Sequence, residues 1–178
     1  MYSTLIVGEM ELDSVTIMCI AAANYLIDKT NEYNEGKLFR ERILMSGKRL
    51  QKLLFFSDVL YLTTYGQRML RDVFYAWPSG PVIPSVYTRF IQYQSGEMRP
   101  AKCENNTLSE QERNILDLVF LATISRPTSE LIRASHAAGG PWAMAYDQED
   151  KDHRQAICEN RMREFYRGMT IEQMISLS

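Results

Sequence analysis

The stretch Ser46–Tyr93 constrains this chain more than any other. It begins with a helix-forming segment in which Leu50, Leu53, Leu54, Phe55, Phe56, Val59, Leu60, Tyr61 and Leu62 cover nearly every face. A helix that is apolar all round belongs in the middle of a domain. Ser46 is placed to cap it, over about 47 to 64, and Gly66 suits the residue just past its end. Lys52 and Asp58 are its polar exceptions. A strand-like aromatic segment follows within Met69–Trp77, and residues 97–102 are its expected strand partner. Pro78, Pro81 and Pro84 with Gly80 then argue against regular structure over 78–84. Pro84 or Ser85 starts another helix, through Tyr93 and ended by Ser95-Gly96.

The remaining chain supplies helices to surround this unit. Asp13 or Ser14 can cap a helix to about Lys29 or Asn31, with a stop signal ending at Gly36. Ser109 and Glu112 form a capping box for a helix to about Thr123, and Thr170 with Gln173 forms a second. Thr128 caps a helix to about His136, Pro141 opens a short helix, and another spans about Glu159–Arg167. The expectation is a mainly α, compact single-domain helical bundle around a buried central helix, with room for a minor two-stranded β element. A short arm at 1–12, extended at Thr4–Val7, precedes a domain over 13–168, and 169–178 forms a short helix and tail. At 46% hydrophobic residues the chain has enough apolar material for such a core.

Charge and cysteine usage narrow the function classes. The net charge of -2 gives no global positive field, so nucleic acid is not the expected partner. Three cysteines far apart at 19, 103 and 158 make a poor disulfide framework and point to reduced thiols and a cytoplasmic location. No apolar run approaches the roughly 20 residues of a membrane span, and the N-terminus does not read as a signal peptide. Residues 37–52 hold six basic side chains, Lys37, Arg40, Arg42, Lys48, Arg49 and Lys52, against Glu41 alone. Such a run is ordinarily a solvated face; the sharper reading is a docking patch for an acidic partner or a phosphate backbone.

Catalytic and metal motifs are missing from the sequence. His136, His153 and the cysteines have no metal-ligand spacing. There is no nucleophile elbow or phosphate loop. Ser135 and His136 are neighbours, about 100° apart on a helix, and so do not pair as nucleophile and base. A hydrolase built on a Cys with a distant His is the remaining enzymatic reading. His136 either stabilises the Gly139–Trp142 turn or binds a partner. Trp77 and Trp142 are either core residues beside rigid turns or interface anchors. No catalytic residue, metal or cofactor is assigned.

The ordered motifs resemble the Panacea domain, the SocA/GepA-like family of phage-associated antitoxins. The residues are Leu50-Gln51-Lys52-Leu53-Leu54-Phe55-Phe56, Tyr65-Gly66, Ala76-Trp77-Pro78-Ser79-Gly80-Pro81-Val82-Ile83-Pro84-Ser85-Val86-Tyr87, Ser135-His136 and Pro141-Trp142-Ala143. The resemblance spans about Val15 to Arg167. Ser46-Gly47 stands where the family often has Thr-Pro, and Ser135 where it has Thr. The resemblance implies a non-catalytic protein that binds and neutralises a cognate protein toxin, encoded by an adjacent gene, or presents it as an adaptor to a AAA+ protease. The alternative is a nucleic-acid-binding regulator using the basic 37–52 stretch. Partner contacts are expected at Tyr75, Tyr87, Arg89, Lys48 and Lys52. Leu50, Lys52, Leu53, Gly66, Trp77, Gly80, Pro81, Pro84, Tyr87, His136, Pro141 and Trp142 are the family-motif positions. Self-association is left open.

Overall fold

A computed structural model describes residues 14–93, 98–103 and 108–178. The proposed arm at 1–12, the alternative cap Asp13 and the helix end at Ser95-Gly96 lie outside these residues. Among the described residues the apolar periodicity becomes eight α-helices and one small hairpin: α1 Ser14–Asn34, α2 Gly47–Tyr65, β1 Tyr75–Trp77, β2 Gly80–Val82, α3 Pro84–Phe90, α4 Glu110–Thr123, α5 Thr128–Ser135, α6 Pro141–Ala145, α7 Glu159–Phe165 and α8 Ile171–Met174. Single 3₁₀ turns stand at Phe39–Glu41 and Ile91–Tyr93. Among the described residues no helix is long and apolar enough to cross a membrane.

The central helix is α2. Every residue from Arg49 to Leu62 is buried, and α1, α3, α4, α5, α7, α8 and β2 all pack on it. Ser46 Oγ accepts a hydrogen bond from the Arg49 amide, and Gly66 closes the far end in the left-handed conformation, φ 75°. Phe55 anchors the aromatic part of the core, edge-on to Phe56, Phe74 and Tyr166 at 5.3–6.1 Å. Both capping boxes form, Ser109 with Glu112 and Thr170 with Gln173. α1 runs further than its polar end suggests, to Asn34. Its last residue is held by the tertiary fold: the Asn34 side chain both donates to and accepts from the Ile43 backbone, at 2.8 Å each.

The expected strand has a different partner. Tyr75–Trp77 pairs antiparallel with Gly80–Val82, in the register Tyr75–Val82, Ala76–Pro81 and Trp77–Gly80. A proline is tolerated there because the Ala76–Pro81 pair needs no N–H from Pro81. The Ala76 amide points to the other side, donating to the Gln155 carbonyl at 2.8 Å. Ile157 donates to the Phe74 carbonyl along the same edge. Residues 155–157 thus line the other edge of β1, and among the described residues 98–102 do not pair with it.

α8 is part of the core. Ile171, Met174 and Ile175 are buried, and α8 packs on α4 and α2.

Candidate functional site

Five polar residues of α2 lie inside the protein: Arg49, Gln51, Lys52, Ser57 and Asp58. Four of them fix a distant piece of backbone. Arg49 donates to the Thr123 and Arg126 carbonyls at 2.7 and 2.8 Å, closing the C-terminus of α4. Gln51 pairs with both the amide and the carbonyl of Ile83. Lys52 Nζ donates to the Pro81 carbonyl at 2.7 Å. Asp58 accepts from the Leu70 amide and from Arg68 Nε, both at 2.7 Å. Gln51 and Lys52 of the family motif, with Arg49 just before it and Asp58 just after it, are therefore a row of pegs that holds the hairpin, the start of α3, the Leu70 amide and the end of α4.

The remaining motif residues gather on the hairpin. Gly80 adopts φ +100°, and a Cβ there would lie 2.7 Å from both Lys52 Cε and Ser135 Oγ. Only glycine lets α2 and α5 approach the turn so closely. His136, at the end of α5, stacks flat on Trp142, with centroids 3.6 Å apart and planes 9° from parallel. Tyr146 also stacks on Trp142, at 4.6 Å and 16°. Trp142 Nε1 donates to the Trp77 carbonyl at 2.9 Å, tying α6 to β1. Trp77 meets Tyr87 edge-on at 5.0 Å.

Burial sets the protonation of this joint. Desolvation, reinforced by the Lys48 charge, pushes the Lys52 ammonium down to about 7. Desolvation and the nearby Lys52 charge push the His136 imidazole down to about 4. His136 is therefore neutral at physiological pH, and Nε2 is buried without a protein partner. Lys52 is only 1% exposed, and Ser135 Oγ donates to the Ile132 carbonyl at 2.7 Å. This geometry locks three segments together and withdraws the Lys52 ammonium, Ser135 Oγ and His136 Nε2 from solvent. Burial likewise raises the Cys19 thiol to about 12, far from a reactive thiolate. Among the described residues no group of three or more His, Cys, Asp or Glu could hold a metal ion.

The five expected contact residues separate. Tyr75 is half-buried and lines an open groove of about 630 Å³ with Asp72, Trp77, Ser85, His153 and Arg154. Tyr87 is half-buried against Trp77. Arg89 is exposed and donates to the Lys102 carbonyl at 2.9 Å. Lys48 is exposed in the first turn of α2. Lys52 faces inward, as does Arg49. Lys52 is thus a peg of the fold and is out of a partner's reach, because its ammonium serves the Pro81 carbonyl. The basic 37–52 stretch consequently divides, its outer part lying around the 3₁₀ turn Phe39–Glu41. There Leu38, Phe39 and Leu44 are exposed beside the basic side chains. The apolar pairs Leu38-Phe39 and Ile43-Leu44 that flank Arg40-Glu41-Arg42 are its sequence signal, which the count of charges alone passes over. His153 is a second unforeseen element, held at φ 52° on the wall of the groove.

Comparison with known proteins agrees with the motif geometry. A family model described as Antitoxin SocA-like, Panacea domain, matches residues 50–143. That span starts just after Arg49, the first peg of α2, and ends just past Trp142. Antitoxin SocA of Caulobacter vibrioides (strain NA1000 / CB15N) is 29% identical over 141 residues, covering 73% of this chain and 71% of that protein. No solved structure matches the chain. With the Lys52–Pro81 clamp, the Gly80 contact and the His136–Trp142 stack all inside the matched span, the chain belongs to the SocA-like Panacea antitoxin family.

Proposed function

We propose that this chain neutralises a protein toxin by binding it, without catalysis, in the cytoplasm, and that the toxin is encoded by a neighbouring gene. Membership of an antitoxin family carries the reading. The site chemistry supports it: the polar groups of the motif are turned to the protein's own backbone, leaving recognition to the outer surface. Tyr75, Tyr87, Arg89 and Lys48 are the proposed contacts from the hairpin–α3 side and the start of α2. A protein partner is favoured over a phosphate backbone because Arg49 and Lys52 are withdrawn from the basic stretch.

Co-expression with the neighbouring gene product tests the reading. Growth arrest by that product alone, relieved by this chain, is the expected result; a product that is harmless, or toxic and not relieved, overturns it. Repeating the rescue in a host lacking its AAA+ proteases separates two routes. Rescue that persists identifies inhibition by binding, and rescue that disappears identifies delivery for proteolysis.

A further inference from the structure

The connection between α1 and α2 carries three large apolar side chains in the open: Leu38, Phe39 and Leu44 are 59%, 89% and 65% exposed. It is nevertheless tightly built. Asn34 clamps Ile43 through two hydrogen bonds of 2.8 Å. Glu41 donates its amide to the Leu38 carbonyl at 2.8 Å, and its carboxylate accepts from the Leu38 amide. Arg42 Nε donates to the Lys37 carbonyl at 3.0 Å. The Lys37 ammonium sits over the Tyr33 ring, 2.9 Å from its centroid. Hydrogen bonds thus fix this segment while its apolar side chains stay outside the core. A fixed loop that presents unburied apolar groups has already met part of the ordering cost of binding.

We propose that the hook at residues 37–44 is a principal docking element for the toxin, and that it enters an apolar pocket rimmed by carboxylates. This rests on the antitoxin reading above. Charge argues for the carboxylate rim. Arg40 has a side chain 81% exposed and stands 4.0 Å from the Glu41 carboxylate, and the exposed Lys48 follows at the start of α2, on a chain of net charge -2. The apolar chemistry argues for protein rather than nucleic acid: Phe39 offers a single ring, and the Leu38 and Leu44 side chains that flank it give no second platform on which a neighbouring base could stack. Phe39 is the anchor and Arg40 the steering charge.

The test measures binding of the purified chain to the neighbouring toxin, together with rescue in cells. Phe39→Ala weakens binding about tenfold or more, as expected for an interface anchor. Arg40→Glu slows association several-fold and flattens its salt dependence. Neither shifts the melting temperature, because neither side chain is packed, so loss of binding is separable from loss of fold. Wild-type rescue with full rescue and unchanged affinity for both variants overturns the hook and leaves the antitoxin reading standing. Failure of the wild-type chain to bind or rescue overturns both. Self-association or binding to phosphatidylserine vesicles that depends on Phe39, with toxin affinity unchanged, also overturns the hook's assignment to the toxin.

Discussion

Two glycines in left-handed conformations separate strain from contact. Gly66 (φ 75°) has no atom within 4 Å of a Cβ placed on it, whereas Gly80 (φ +100°) would bring one against Lys52 and Ser135. Gly66→Ala is expected to cost about 1 kcal/mol through backbone strain alone. Gly80→Ala adds a collision inside the joint and is expected to cost about 3 kcal/mol. Urea midpoints of the two variants check the difference; equal losses would mean that the Lys52–Ser135 approach to the turn contributes nothing. The same joint predicts how stability varies with pH. Lys52 is held near 7 in the folded protein, against an ordinary 10.5. Between these values the unfolded chain binds the proton and the folded chain does not, so stability rises with pH across that window. The slope from this one group is at most about 1.4 kcal/mol per pH unit. His136, held at about 4 instead of 6.5, acts in the same direction: stability falls as pH drops from about 6.5 towards 4. Melting measured from pH 5 to pH 10 should show both segments. Lys52→Met should flatten the alkaline one; a slope unchanged in that variant would assign it to another group.

At the scale of the elements, α2 works through its polar residues as much as its apolar ones. Arg49→Ala removes two short charge-assisted hydrogen bonds and leaves the Thr123 and Arg126 carbonyls at the end of α4 without them. A loss of about 3 kcal/mol is expected, read from chemical denaturation, whereas an exposed arginine at the start of a helix would cost a few tenths. The sequence showed why α2 is central, since its apolar residues cover every face, and showed its ends through Ser46 and Gly66. It did not show Arg49 and Lys52 as internal. A basic residue near others at the start of a helix reads as a solvated charge until the carbonyl it reaches, 29 or 74 positions along the chain, is known. The hairpin was hidden for a related reason. Pro81 argues against a strand unless the neighbouring amide of Ala76 is already directed to Gln155, a contact made from the far end of the chain. Caps and local periodicity are written within a few residues, whereas pegs and strand partners are set by contacts between distant ones.

For the whole molecule, the core extends into the segment 169–178. The sequence marks 169–178 as a short helix and tail, the helix opened by the Thr170–Gln173 capping box. In the folded chain Ile171, Met174 and Ile175 are buried, and Arg126 donates to the Ile175 carbonyl at 3.3 Å. Each buried aliphatic or methionine side chain contributes roughly 1.5–3 kcal/mol, so removing 169–178 should cost about 5 kcal/mol or more. Domains of this size are stable by about 5–15 kcal/mol in total. The truncated chain is therefore expected to lose much or all of its cooperative melting, and circular dichroism should show this along with early exposure of Trp77 and Trp142 by fluorescence. Those two residues report together because Trp142 Nε1 is bonded to the Trp77 carbonyl. A truncated chain that melts at the wild-type temperature would make the last ten residues an appendage and confine the cooperative core to the helices before them.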